Sequence, residues 1–113
     1  MRRRTSLSSE ILPGTLEVVI LKTLAGGPAH GYAIARQIER VSDNVLRVGE
    51  SSLYPALQRL LVNGWVRAEW KASELGRRAR VYTLTAAGRK RLAQEAGEFT
   101  KMAGAIIAIL HGA

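Results

Sequence analysis

A chain of 113 residues with 47% hydrophobic and 23% charged residues has the composition of one globular domain and is too short for two separate cores. It contains no cysteine, which excludes disulfides, thiolate metal sites and a cysteine nucleophile. Its net charge of +8 favours a polyanionic partner, and its longest strongly apolar run near the C-terminus, residues 103–110, is far short of the ~20 residues that span a bilayer.

The first twelve residues are basic and rich in serine, and we predict a flexible arm over residues 1–12. Arg2, Arg3 and Arg4 look like the start of a signal peptide, but the apolar core of such a peptide does not follow them. We therefore expect a soluble, cytoplasmic protein in which the arm adds non-specific attraction to an anionic partner.

Two short helices are predicted next. Pro13 opens the first, whose apolar stripe has helical spacing and ends at Gly26-Gly27-Pro28. The stripe consists of Leu16, Val19, Ile20 and Leu24. The second helix is predicted from about His30 to Ser42 and places Ile34, Ile38 and Val41 on one face.

A third helix, which ends at Asn63-Gly64, is the candidate recognition helix. Its apolar face comprises Leu53, Leu57, Leu60 and Leu61, and the opposite face comprises Ser51, Pro55, Gln58, Arg59 and Val62. If Ser51 or Ser52 is the N-cap, Pro55 falls in the first turn, where a missing N–H costs little. A small, polar face at the start of a helix suits insertion into a major groove about 12 Å wide.

A basic β-hairpin is predicted after this helix, with strands at Trp65–Lys71 and Ala79–Leu84 and a glycine-containing loop at residues 72–78. Residues 67–91 contain eight Lys or Arg and two Glu, a net charge of +6, whereas residues 1–10 contribute +2 and the rest of the chain is neutral. A solvated basic surface would be the simpler interpretation. The position of the cluster, directly after the candidate recognition helix, favours contact with DNA phosphates or the minor groove.

The last predicted helix starts at Thr85 as its N-cap and carries apolar residues spaced 4-3-4-3-4, which is a heptad pattern. This apolar seam consists of Leu92, Ala96, Phe99, Ala103, Ile106 and Leu110. The three helices and the basic hairpin, or wing, together form a predicted winged helix-turn-helix. Because this unit already has its own core, we expect the seam to serve self-association. The chain is thus divided into the arm, a winged helix-turn-helix domain at residues 13–84 and a dimerisation helix at residues 85–113.

The candidate DNA-binding residues come from three segments. They are His30, Tyr32, Ser51, Ser52, Tyr54, Gln58, Arg59, Lys71, Arg77, Arg78 and Arg80. Gln58 or Arg59 is best suited to read a base edge, since Gln pairs with adenine and Arg with guanine through two hydrogen bonds. His30 could equally cap its helix, and Tyr54 could equally pack in the core. Of the two tryptophans, Trp70 is the better candidate for ligand contact, and Trp65 is expected to pack beneath the helix.

Other classes of function fit the sequence less well. An enzyme is disfavoured because the two histidines, His30 and His111, are far apart and no paired carboxylates, metal-ligand cluster or phosphate-binding glycine loop is present. No cofactor or metal is therefore expected. The alternative function is a winged-helix module that binds RNA or a protein partner. RNA-binding proteins typically use aromatic residues to stack on unpaired bases, but aromatic residues make up only 5% of this chain. A module that binds a protein partner would not require the clustered basic residues of the hairpin.

Five segments resemble the PadR family of bacterial transcriptional regulators. They are Leu16-Glu-Val-Val-Ile-Leu-Lys-Thr-Leu24, Gly27-Pro-Ala-His-Gly-Tyr-Ala-Ile34, Ser52-Leu-Tyr-Pro-Ala-Leu57, Gly64-Trp-Val66 and Tyr82-Thr-Leu-Thr-Ala-Ala-Gly88. The resemblance covers about residues 14–110 and implies a mainly α fold with a small β-hairpin, of the α+β class. It also implies a homodimer, joined through the C-terminal helix, that represses genes by binding inverted-repeat operators in double-stranded DNA. Release by a small aromatic or amphipathic effector is a further implication.

Overall fold

The computed structural model describes residues 13–72 and 76–112, so the predicted arm and the middle of the hairpin loop lie outside the described residues. The elements are helix α1 (Pro13–Ala25), strand β1 (Ala29–His30), helices α2 (Gly31–Val41) and α3 (Glu50–Val62), strands β2 (Val66–Ala72) and β3 (Arg78–Leu84), and helix α4 (Ala86–Leu110). The three strands form one antiparallel sheet in the order β1-β3-β2. The fold is therefore α+β, with a winged helix-turn-helix followed by a long helix. None of the helices in the described ranges is long and apolar enough to cross a membrane.

The core lies between α1, α2, α3 and the sheet. Its fully buried large side chains are Ile20, Leu21, Leu24, Ile34, Leu57 and Leu60. The apolar faces predicted for α1 and α3 are confirmed, but Val41 of α2 is 76% exposed instead of buried. The buried face of α2 is centred between Ala35 and Ile38. Val41 therefore lies at the edge of that face, where it borders an open groove.

Strand β1 is a short element that periodicity did not predict. Its two residues pair with β3, Ala29 opposite Tyr82 and His30 opposite Val81. His30 and Ser42, predicted as the ends of the second helix, are its N-cap and C-cap. The pairing therefore ties the start of α2 to the wing, which places two predicted DNA-binding segments side by side.

Helix α3 begins earlier than its serines predict. Its N-cap is Gly49, which provides no side-chain hydrogen bond, and the expected caps Ser51 and Ser52 are helical residues. Glu50 in the first turn interacts favourably with the positive end of the helix dipole and helps to explain the early start. Pro55 is consequently the sixth helical residue, and the carbonyl of Ser51 loses a partner in the ladder. Both residues are exposed, so water can solvate that carbonyl.

The register of the hairpin decides which wing residues share a face. Strand β2 begins and ends one residue later than predicted, and β3 begins one residue earlier. The two strands pair from Val66 opposite Leu84 to Ala72 opposite Arg78. Since side chains alternate along a strand, Trp70, Arg78 and Arg80 lie on one face. Lys71 lies on the other.

Helix α4 docks against the wing through its first turn. The Thr85 hydroxyl caps the helix by accepting a hydrogen bond from the Gly88 N–H at 3.0 Å, as predicted, and donates one to the Gly64 carbonyl at 2.7 Å. Leu92 then packs against this chain's own core. The first residue of the seam, which we expected to serve self-association, therefore packs within the chain itself.

Candidate nucleic-acid interface

The exposed face of α3 carries the predicted base-reading residues. Ser51, Pro55 and Gln58 are exposed and, at 3.6 residues per turn, fall within one narrow stripe of the helix. Tyr54 and Arg59 flank the stripe on opposite sides, about 140° apart. A 13-residue helix is about 20 Å long, and its N-terminal turns present small polar side chains.

Arg59 is held by an acidic residue of α1. Its Nε donates to Glu17 Oε2 at 2.5 Å, a contact that joins residues 42 positions apart. Nearly half of the Arg59 side chain stays exposed, so the pair is a surface ion pair of modest strength. Of the two candidates for base contact, Gln58 lies centrally, while Arg59 would first have to leave its carboxylate.

A concavity of about 440 Å³ lies between α2, α3 and the wing. Its lining brings together five of the predicted DNA-binding residues, which are His30, Tyr32, Tyr54, Arg78 and Arg80. Trp70 and Tyr82 complete its aromatic wall. This lining combines cations, aromatic rings and hydroxyls and contains no carboxylate, a combination suited to an anion that carries a planar or sugar group.

His30 both caps α2 and borders the concavity. Its Nδ1 accepts a hydrogen bond from the backbone N–H of Ala33 at 3.3 Å. With Nδ1 as the acceptor, the neutral imidazole carries its proton on Nε2, which is then the ring atom that can donate to a ligand. Tyr32, in the first turn of the same helix, is 66% exposed and lies beneath the Arg36 guanidinium, whose carbon is 5.2 Å from the ring centroid.

Tyr54 of α3 closes the concavity against the start of α2. A Cβ added at Gly31 would meet Tyr54 Cε1 and Oη at 3.0 Å, so the absence of a side chain at residue 31 leaves room for the phenol ring. Burial raises the pKa of the neighbouring Tyr82 phenol above its usual value, while the Arg80 guanidinium acts in the opposite direction. Tyr82 is therefore a neutral part of the floor.

The wing contributes arginines that rest on aromatic rings. The Arg78 and Arg80 guanidinium carbons lie 5.2 and 5.9 Å from the centroid of Trp70, and Arg80 is also 5.9 Å from that of Tyr82. Within residues 13–72 and 76–112, no carboxylate forms an ion pair with Arg78 or Arg80. Their charge is therefore concentrated at the mouth of the concavity.

Two predicted wing contacts are not part of this constellation. Lys71 lies on the opposite face of the hairpin, with its Nζ 3.5 Å from a Glu69 carboxylate oxygen. Arg77 is exposed and immediately precedes β3, outside the concavity. These positions suggest that Lys71 and Arg77 contribute less to ligand binding in the concavity than Arg78 and Arg80 do.

The contacts of Trp70 with Arg78 and Arg80 and the place of Tyr82 in the concavity were not predicted. The alternation of β2 had placed Trp70 on the same face as Val66. The alternation could not predict which residue of β3 lies opposite Trp70, because the pairing of the strands depends on the number of residues in the hairpin loop. Among the described residues, no group of three or more His, Cys, Asp or Glu side chains could hold a metal ion.

The apolar seam of α4 borders a second feature, a groove of about 860 Å³ between α1, α2 and α4. Leu92, Ala96 and Phe99 line it from α4, facing Val19 and Ile38. The remaining seam residues lie further along the helix, where Ile106 and Leu110 are exposed. No charged residue follows Lys101 in α4, so the last two turns present an apolar surface to their surroundings.

Comparison with known proteins agrees with this geometry. The sequence model of the transcriptional regulator PadR-like family matches residues 20–94. A 37.1 kDa protein of transposon TN4556 from Streptomyces fradiae is 42% identical over 90 residues, 80% of this chain, and the chain spans only 24% of that relative. A transcriptional regulator from Clostridium thermocellum has a TM-score of 0.75 at 29% identity, over 82% of this chain and 90% of its own. A PadR-like transcriptional regulator from Bacillus cereus has a TM-score of 0.74 at 25% identity, over 88% and 95%. These structures confirm the predicted winged-helix fold.

Proposed function

Because the chain belongs to the PadR-like family of transcriptional regulators, we propose that it binds double-stranded DNA in a sequence-specific manner and represses transcription as a homodimer released by a small-molecule effector. The observation that carries this proposal is the continuity of the surface from the exposed face of α3 to the concavity of the wing. One rigid surface thereby offers side chains for base edges and cations for phosphates.

The parts of this surface have separate tasks. We assign the major groove to the exposed face of α3, on which Gln58 has the reach and the paired donor and acceptor to read adenine. Arg78 and Arg80 would meet backbone phosphates or the minor groove beside it. Ser51 and Ser52, at the N-terminal end of α3, would add hydrogen bonds to the backbone.

The direct test is fluorescence anisotropy on duplex DNA from the chain's own upstream region and on a scrambled duplex, over a salt series. Arg78→Ala with Arg80→Ala should weaken binding to both duplexes and reduce the salt slope by about 1.8, since each lost phosphate contact removes about 0.9. Gln58→Ala should reduce the preference for the upstream duplex. Lys101→Ala, which removes a charge on α4, is the control and should change the slope least. An unchanged slope in the double variant would contradict the proposed interface.

The dimer is proposed from the seam of α4. A second copy would cover the exposed side chains of Ile106 and Leu110, and its two-fold symmetry would match an inverted repeat with half-sites one helical turn apart, about 34–36 Å. Ile106→Glu should give monomers in sedimentation velocity. Ala108→Glu places the same charge on the opposite face of the helix and should remain dimeric. A dimeric Ile106→Glu variant would place the interface elsewhere.

The groove between α1, α2 and α4 is the candidate effector site. Its volume of about 860 Å³ lies within the usual range of small-molecule pockets, about 300–1,000 Å³, and its lining is mainly apolar. An aromatic or amphipathic molecule would fit this chemistry. Release of the upstream duplex by such a molecule, lost in Phe99→Ala but not in Trp65→Phe, would locate the effector in the groove. Release that persists in Phe99→Ala would exclude the groove.

Binding of RNA or of a protein partner is the competing function. Competition of the labelled duplex with duplex RNA of the same sequence and with an acidic protein separates the three. Displacement by RNA at a lower concentration than by unlabelled DNA would favour the RNA-binding alternative.

A further inference from the structure

We infer that Trp70 is a positioning residue, which holds Arg78 and Arg80 in the orientation that meets DNA, an inference that rests on the proposed DNA binding. Trp70 is 58% exposed, an unusual position for the largest side chain unless it has a ligand or a partner. Its partners are the two arginines, whose guanidinium carbons lie 5.2 and 5.9 Å from its centroid. Both distances are within the ~6 Å of a cation–π contact.

The hairpin register allows one ring to serve both arginines. Trp70 is directly opposite Arg80, and Arg78 occupies the next position on the same face, opposite Ala72. The small side chain of Ala72 leaves the space that Arg78 needs to reach the ring. Arg80 also contacts the ring of Tyr82, so two aromatic side chains hold it from the floor of the concavity.

The type of partner matters because a ring and a carboxylate hold an arginine differently. Three other arginines form ion pairs with glutamates, and an incoming phosphate would have to compete with those carboxylates. The pairs are Arg36 with Glu39, Arg59 with Glu17 and Arg91 with Glu95. A tryptophan face attracts the guanidinium plane without neutralising its charge, and the N–H edges remain directed outwards. Arg78 and Arg80 are thus oriented in advance and keep their full charge for a polyanion.

We expect the prior orientation of the arginines to raise the affinity for DNA without changing the salt dependence of binding. A long arginine side chain loses rotamer freedom on binding, and Trp70 removes part of this loss before DNA arrives. Trp70→Leu should therefore weaken binding to upstream and scrambled duplexes alike by about fivefold, the size of one exposed cation–π contact, with the salt slope unchanged. Trp70→Phe, which keeps a smaller aromatic face, should lie between Trp70→Leu and the wild type.

The decisive experiment is a mutant cycle measured by anisotropy. In the Arg78→Ala, Arg80→Ala background, Trp70→Leu should cause no further loss of affinity, because no wing arginine is left to orient. An equal loss in both backgrounds would mean that the ring itself contacts DNA, and would overturn the positioning role. Unchanged affinity of Trp70→Leu in the wild-type background would overturn it as well.

Controls separate this inference from the proposed function and from folding. If the wild type binds duplex and depends on Arg78 and Arg80, a negative result for Trp70 refutes only the inference. If the wild type does not bind duplex DNA, both are refuted. Arg91, stacked on Trp65 at 4.6 Å outside the concavity, provides the matched pair: Trp65→Phe should leave duplex affinity unchanged. A drop in affinity for Trp65→Phe equal to that of Trp70→Phe would overturn the assignment to the wing.

Discussion

Gly88 is the position at which one added methyl group should have the largest effect on stability. This glycine is buried in the first turn of α4, where the helix meets the start of the wing. A Cβ at residue 88 would lie 2.0 Å from the Trp65 carbonyl oxygen and 2.7 Å from Leu84 Cδ1. The first of these contacts is with the backbone, so rotation of a side chain cannot relieve it.

The expected loss of unfolding free energy can be derived from the displacement that the added Cβ would require. Separating the oxygen and the Cβ even to the shortest distance that real Cβ atoms show, about 3 Å, requires the two backbone segments to part by about 1 Å, and overpacking of this kind costs about 1–3 kcal/mol. The same displacement weakens the bond from the Thr85 N–H to the Trp65 carbonyl, now 3.1 Å long, at about 1 kcal/mol. The helix propensity of alanine returns about 1 kcal/mol. Gly88→Ala should therefore lose about 1–3 kcal/mol, or roughly 4–13 °C in Tm for a chain of this size.

Thermal and urea unfolding, followed by circular dichroism at one fixed protein concentration, would measure this loss. The matched control is Gly97→Ala in the same helix, where nothing lies within 4 Å of the added Cβ. It should gain about 0.5–1 kcal/mol from helix propensity. If Gly88→Ala unfolds at or above the wild-type temperature, or if Gly97→Ala loses as much, the docking of α4 on the Trp65 carbonyl is wrong.

Three further substitutions test the interface. Gly31→Ala should push the Tyr54 ring out of the concavity and lower duplex affinity several-fold in anisotropy while Tm stays within about 4 °C, because the displaced atoms belong to a movable side chain; wild-type affinity would contradict this. Glu17→Gln should release Arg59 and raise affinity for scrambled duplex about two- to fivefold, the worth of an exposed ion pair, and no gain would mean that Arg59 does not reach the backbone. Because the pKa of Tyr82 is raised in the folded chain, the phenol keeps its proton at pH values at which the unfolded chain has lost it. The contribution of Tyr82 to the free energy of unfolding should therefore be constant below about pH 10 and decrease as the pH rises above it. Urea titrations of Tyr82→Phe, with Tyr32→Phe as the exposed control, should show that only Tyr82→Phe lacks this part of the alkaline loss.

The elements that could be predicted from the sequence are those with local causes. The spacing of Leu53, Leu57 and Leu60 requires only the 3.6-residue period of a helix, and all three are buried as predicted. Thr85 was recognisable as a cap because its hydroxyl needs only the N–H of Gly88, three residues away. The exposed position of Gln58 follows from the same period.

The details that escaped prediction depend on partners far away in sequence. Strand β1 has two residues and exists only because β3 pairs with it. Glu17 and Arg59 are 42 positions apart, and no local pattern links them. Helix α3 starts at Glu50 with Gly49 as its N-cap, although Ser51 has the stronger intrinsic capping preference, and Glu50 favours this start by its interaction with the helix dipole.

The positive charges of residues 67–91 are close together in sequence, but the fold distributes them over separate surfaces. Of the net +6 over residues 67–91, the part contributed by residues 89–91 belongs to the first turns of α4, where Arg91 pairs with Glu95 and stacks on Trp65. Lys71 faces away from the concavity. The cations that line the concavity from the wing are Arg78 and Arg80, so the proposed DNA-binding surface carries fewer charges than the composition indicates, and aromatic rings orient these charges. In the proposed interface, affinity for DNA of any sequence would therefore depend on how a few arginines are held, and the strand register decides this.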